Sequence, residues 1–152
     1  MTSKMRNMIS DTSCIIVLDK LELLYILKEI YGTVLVTKEV ANEYGSNLPD
    51  WIYVKEVQDR KTLKLISAFV DLGEASSLAL ALETENSTVI MDDLKGRSIA
   101  EKLSVKITGT LGVLVKAKDR EIIYSLMDVV EQLKAKGFRI SKELEKELLK
   151  YD

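Results

Sequence analysis

Residues 7–21, NMISDTSCIIVLDKL, decide how the fold is read. Met8 and Ile9 form a short apolar run that stops at Ser10-Asp11-Thr12-Ser13, and a second apolar run then resumes. Met8–Ser10 reads as a strand, so Asp11 lies at its carboxyl end. A carboxylate there has two readings. It caps the helix that follows, or it is the first of a set of acids drawn from distant parts of the chain. Spacing alone does not separate the two.

Working outward, short β-rich runs alternate with helical patterns. Leu21–Ile30 has apolar residues at helical spacing, with Gly32 placed as a C-cap. Thr33–Val36 is a β-branched strand. Thr37 is placed to N-cap a helix through Tyr44, with Glu39 in its first turn as a dipole partner. The sequence GSNLPD is a turn carrying the single proline, and Trp51–Val57 reads as an edge strand. Thr62–Val70 is helical. DLGEASSLALALE opens another helix at Asp71, with so few polar positions that it is expected to be buried. Ser87–Met91 is a strand, Lys95–Leu103 a helix, Val105–Ile107 a strand and Thr110–Lys118 a helix. Strands alternating with helices predict a parallel sheet with helices on both faces, an α/β/α sandwich. Glu121–Lys136 reads as one amphipathic helix, and Ser141 caps a last helix over Lys142–Lys150. Residues 1–152 are thus expected to form one domain, with 121–152 as an appended helical pair.

Composition narrows the chemistry. The 152 residues are 47% hydrophobic, enough for one ordinary core. No run approaches the roughly 18 apolar residues of a membrane span. No secretion signal is visible, and one cysteine, Cys14, excludes an internal disulfide and a multi-Cys zinc site. A cytoplasmic location is expected. The count of zero histidines removes Ser-His-Asp and Cys-His catalysis and every His-based metal site. Carboxylates, lysines, hydroxyls or a metal must carry any catalysis. The net charge of −2 gives no bulk attraction to nucleic acid, so RNA binding needs a local basic patch.

In open parallel sheets, ligands bind beyond the carboxyl ends of the strands. Asp11 follows the first strand, and Asp92-Asp93 follows STVIM. Glu43 and Glu74 lie on helices with mostly apolar neighbours. Converging, such acids repel and raise one another's pKa, which a hard dication such as Mg²⁺ relieves. Each acid also has a plain reading. Asp11 and one of Asp92-Asp93 cap helices, Glu43 is a surface acid, and Glu74 sits three residues after Asp71 at capping-box spacing. Judged singly, the plain readings win. Jointly, acids after strands one and four in a chain without histidine favour a site.

ISDTSCIIVLDKL, VTKEVANEY, DLGEASSLALALE, IMDDLKGRSIAEKL and ITGTLGVLVKAK, taken together and in order, resemble the PIN-domain nucleases. The resemblance is to a prokaryotic branch of unknown function with GEA and DD..GR motifs, and the tail VVEQLKAKGFRISKELEKELL also matches that branch. It implies a three-layer α/β/α sandwich and a Mg²⁺- or Mn²⁺-dependent endoribonuclease. Carried over by motif, the acids are Asp11, Glu43, Glu74 and Asp92, with Asp93 as substitute ligand and Ser13 as a nearby hydroxyl. The third acid is Glu where toxin-type members commonly have Asp. The implied reaction is in-line attack of water on phosphorus, leaving a 5′-phosphate and a 3′-hydroxyl. Implied partners are RNA, a small antitoxin protein if the chain is the toxin of a toxin–antitoxin pair, and a second copy in a homodimer.

Two groups of cations, Lys95, Arg97 and Lys102, then Lys116, Lys118 and Arg120, are candidates for gripping phosphate. Arg97 is singled out because it lies near the acids and can bind phosphate through two N–H groups. Thr108-Gly109-Thr110 can present N–H groups to an anion at a helix N-terminus; N-capping by Thr110 is the plain alternative. Two other classes stay open. One is a non-catalytic module that kept the fold. The other is a haloacid-dehalogenase-type phosphatase, which needs an acid two residues after the first Asp; here that position is Ser13.

Overall fold

The first strand, β1 (Asn7–Ser10), lies in the middle of the sheet. The computed structural model describes residues 6–152. In it β1 pairs in parallel with β2 (Val34–Thr37) on one side and β4 (Ser87–Ile90) on the other. β3 (Ile52–Lys55) and β5 (Lys106–Thr108) complete a five-stranded parallel sheet of order β3-β2-β1-β4-β5. The chain builds outward from β1 to one edge, then returns to build the other. That reversal between β1 and β4 is the switch point at which parallel sheets open a crevice.

Alternation along each strand divides the core into two layers. Met8 and Ile90 enter one apolar cluster with Val34, Val36 and residues of α1 (Thr12–Lys20), α2 (Tyr25–Tyr31) and α3 (Lys38–Tyr44). Ile9, Val89 and Met91 enter the other, against α4 (Arg60–Ser67), α5 (Leu72–Leu82) and α6 (Leu94–Lys102). As its composition predicts, α5 is buried along nearly its whole length. Each fully buried leucine there, such as Leu78, contributes about 1.5–3 kcal/mol of hydrophobic transfer. α7 (Thr110–Asp119), α8 (Leu126–Ala135) and α9 (Lys142–Leu149) add Leu114, Leu126, Leu133 and Leu148 to the first layer. This is the three-layer α/β/α arrangement expected from the alternation of elements.

Several boundaries differ from the sequence expectation. The helix expected over Leu21–Ile30 starts four residues later, as α2 at Tyr25, because Glu22 stands in the left-handed region at φ 59° and makes a turn between α1 and α2. The helix expected over Glu121–Lys136 starts five residues later, at Leu126. Glu121 has φ 61°, and the Ser125 hydroxyl caps the true first turn by accepting from the Asp128 N–H at 3.2 Å. In both cases apolar spacing runs through a turn and conceals it. α4 starts at Arg60 rather than Thr62 because Asp59 caps it, and β5 starts one residue after Val105. Among the described residues no helix is long and apolar enough to cross a membrane.

Candidate functional site

The register Ser10↔Ile90 aligns the ends of β1 and β4, so Asp11 and Asp92 emerge side by side at the carboxyl edge of the sheet. Asp11 takes the capping role. Its Oδ1 accepts from the Cys14 N–H at 3.2 Å and caps α1. No hydrogen bond among the described residues occupies Oδ2. The side chain is only 2% exposed. Burial pushes its pKa up to about 7 against the pull of the Cys14 N–H, and the neighbouring Asp92, Glu74 and Asp71 add to the rise.

Asp92 and Asp93 divide the work of the acid pair. Asp93 caps α6 by accepting from the Gly96 N–H at 2.9 Å. Asp92 turns towards α7, where its Oδ1 accepts from the Thr110 N–H at 2.8 Å and its Oδ2 from the Thr110 hydroxyl. The anion at the N-terminus of α7 is therefore the chain's own carboxylate. Gly109, not Thr110, holds the N-cap position. A Cβ at Gly109 would stand 2.8 Å from Asp92 Oδ1 and 3.0 Å from an Arg97 guanidinium nitrogen. The close approach of both groups to this backbone requires glycine and puts Arg97 beside the acid.

Glu43 and Glu74 arrive from the two helices on the other side of the cleft. Thr37, at the end of β2, caps α3 through the Val40 N–H at 3.0 Å, and its hydroxyl also bonds that of Ser76 on α5 at 2.6 Å. This buried pair fixes α3 against α5. In consequence a Cβ at Gly73 would lie 3.0 Å from Glu43 Oε1 and 3.2 Å from the Thr12 hydroxyl. The Glu74 carboxylate lies against Gly96, 3.5 Å from a Cβ there. Asp71 caps α5 by accepting from the Glu74 N–H at 2.9 Å. The Glu74 side chain does not return the bond that a capping box would make, so its carboxylate is left to the cleft. Partial burial, with Asp71, Asp93 and Glu43 nearby, raises its pKa to about 7.

Thr12 is the residue that the sequence reading passed over. Its buried hydroxyl has no hydrogen-bond partner among the described residues and stands beside Glu43. Ser13, favoured from sequence, is exposed on the outer side of the same turn. The available signal was helical direction: after a cap at Asp11, the first residue of the helix turns inward and the second outward. Thr108, the other hydroxyl named from sequence, is half-buried at the end of β5 under the first turn of α7.

The cations divide as well. Lys118 is paired with Asp152 at 3.6 Å, and Arg120 donates to the Ile30 carbonyl at 3.0 Å. Both are tied into the structure. Among the described residues no ion pair reaches Asp11, Glu43, Glu74, Asp92 or Asp93. Nor are any three of the described acids close enough to form a ready metal cage. The cleft thus concentrates unpaired negative charge with hard oxygen donors and one unpartnered hydroxyl, a setting that attracts a cation.

A family model described as a PIN domain matches residues 7–151. No curated protein and no solved structure matches the chain.

Proposed function

The chain belongs to the PIN-domain family, a nuclease-type fold, and on that premise we propose that it is a divalent-metal-dependent endoribonuclease acting at this acidic edge. The observation that carries the proposal is the gathering of acids from separate elements around one cleft, with no Lys or Arg among the described residues paired to them. PIN nucleases typically use divalent metals, and the donor set fits one. It is all oxygen, it is anionic, and burial, with the neighbouring acids, pushes the pKa of two of its members up to about 7. Asp11, Glu43, Glu74 and Asp92 would hold Mg²⁺ or Mn²⁺, with waters completing the shell because no three acids form a closed cage as they stand. When bound, the cation supplies an acidified water and offsets phosphoryl charge during hydrolysis.

The chain's own groups supply the rest. Asp11, anchored by its bond to the Cys14 N–H, presents its second oxygen to the cleft in a fixed direction. Thr110 orients Asp92 through two hydrogen bonds. Arg97, beside Gly109, binds a phosphate oxygen of the substrate at the rim. Leu72 and Leu94, 53% and 84% exposed, lie two residues before Glu74 and directly after Asp93 in sequence. They supply apolar surface for a small antitoxin-like protein or a second copy of the chain to cover the cleft. The toxin role and the homodimer belong to this same reading.

The test is incubation of the protein with a mixed RNA pool and Mn²⁺, with Asp11→Asn as control. Fragments bearing 5′-phosphates from wild type alone are the expected result. Intact RNA with wild type, or equal cleavage by the variant, overturns the proposal. A second reading, a non-catalytic module, is favoured by the lack of a closed cage and by the engagement of both Asp92 oxygens with Thr110. Calorimetric Mn²⁺ titration separates the two: the nuclease binds the ion and loses it with Asp11→Asn, and the module takes up none.

A further inference from the structure

A groove of about 470 Å³ runs along the outer part of the sheet between β5 and α7, on the face that α2 also covers. Arg6, Tyr31, Thr88, Lys106, Thr108 and Lys116 line it. Three of these are cations, and no carboxylate is among the lining side chains. In a chain of net charge −2, this is positive charge gathered locally. Neutral groups hold two of the cations. Arg6 donates to the Thr88 hydroxyl at 2.6 Å, and Lys116 sits over the Tyr31 ring, 5.5 Å from its centroid. Among the described residues no ion pair neutralises Arg6, Lys106 or Lys116, whereas Lys118 and Arg60 have acidic partners at 3.6 and 3.3 Å. Unpaired cations in a concave surface are arranged for an anion that comes from outside the chain.

The groove also has a direction. Met8, Thr88 and Lys106 lie in register near the start of β1, β4 and β5, and Ile90 pairs with Thr108 at the other end. Lys106 and Thr108 share a sheet face, about 7 Å apart at the strand rise. Two residues beyond Thr108, Thr110 holds Asp92. The cations therefore gather toward the amino ends of the strands, and Thr108 extends the groove from them toward the acidic edge. A single phosphate needs one such cation. A row of them, with an aromatic ring at its side, suits a repeating anion whose flat groups can stack.

We propose that this groove is a track for the backbone of single-stranded RNA, delivering the strand to the acidic edge. The choice of RNA rests on the nuclease reading above, but the track itself does not require cleavage. Phosphates pair with Arg6, Lys106 and Lys116, and the half-buried Tyr31 ring forms part of the wall against which a base can rest.

The test measures fluorescence anisotropy of a labelled oligouridylate with the full chain in chelator, over a series of salt concentrations. The variants are K106Q/K116Q and, as control, K61Q/K64Q on α4, on the other face of the sheet. Both pairs are exposed, so the fold is retained. The expected result is about tenfold weaker binding for K106Q/K116Q, and a slope of log affinity against log salt that is shallower by about 1.4, two single-strand phosphate contacts. K61Q/K64Q behaves as wild type. With Mn²⁺ present, K106Q/K116Q raises KM for RNA cleavage and leaves kcat unchanged. Wild-type affinity and slope in K106Q/K116Q overturn the track. So does absence of RNA binding by wild type, or displacement of the RNA by poly-glutamate of equal charge as effectively as by unlabelled RNA. Cleavage that persists at unchanged KM in K106Q/K116Q overturns the track and leaves the nuclease reading standing. Groove-dependent binding without any cleavage keeps the track and overturns the nuclease.

Discussion

Asp11 at the sheet edge and Asp152 in the helical tail do the same local job and meet opposite surroundings. Each accepts hydrogen bonds from N–H groups in the first turn of a helix: Asp11 from Cys14, Asp152 from Leu126 at 2.7 Å and Met127 at 3.2 Å. Asp152 is also paired with Lys118, and its pKa is held below the usual carboxylate value, chiefly by the Leu126 N–H. Asp11 is buried among acids and pushed up to about 7. The tail uses its remaining charges similarly, Lys134 pairing with Glu145 and Lys150 with Glu147. Capping therefore explains neither residue fully. What separates them is burial and the company each keeps. In the tail, N–H donors and Lys118 favour the charged carboxylate, which stabilises the structure. At the edge, burial among acids holds the carboxylate at a cost that function must justify.

The sharpest way to break this comparison is Asp11→Asn. Asparagine still caps α1 but carries no charge. The folded pKa of Asp11 lies above its unfolded value of 3.8. The unfolded state therefore releases its proton first, and chelated wild type loses stability as pH rises from about 4 to about 7, then levels off. The loss is on the order of 4 kcal/mol at most. Asp11→Asn should flatten that slope, raise Tm at pH 8 in chelator, and cut RNA cleavage on the order of 10²–10³-fold. A Tm below wild type at pH 8 would show that the edge carries no electrostatic cost.

A second prediction asks whether the tail's stability comes from its charges or its core. Leu133 is fully buried in the layer that also contains Leu18 and Leu114. Leu133→Ala should cost about 2–5 kcal/mol in denaturant unfolding. Unfolding in two separate steps, with only the first affected, would detach the tail from that core. A smaller effect is expected from Thr110→Val, which keeps the N–H bond to Asp92 and removes the hydroxyl bond. Cleavage should fall about tenfold, near the value of one lost bond to a charged group, with Tm little changed. Last, Lys134→Ala removes both of its exposed pairings in the tail. Tm should not move measurably, since exposed ion pairs add little. A clear drop would mean that the tail's charges matter more than its apolar face.

Sequence reading placed the sheet and most caps because those signals are local. Thr37, Asp71 and Ser141 cap the helices expected of them, and β3 is the edge strand that its mixed character suggested. It set the starts of α2 and α8 too early because Glu22 and Glu121 are turns made by non-glycine residues in the left-handed region, where composition gives no warning. Acids after β1 and β4 could be placed at one edge from topology alone. The division of Asp92 from Asp93 could not, since it depends on Thr110, eighteen positions on. Thr12 and the groove of Arg6, Lys106 and Lys116 also arise only from long-range packing.

The position of β1 has a consequence for assembly. Among the described strands β1 comes first in the chain yet lies in the middle of the sheet, and its partner β4 leaves the ribosome about 80 residues later, Ser10 meeting Ile90 in register. β1 and β2 can associate early, but the edge that joins Asp11 to Asp92 cannot close until most of the chain has been synthesised. No folding product that lacks β4 can present the complete acidic cleft.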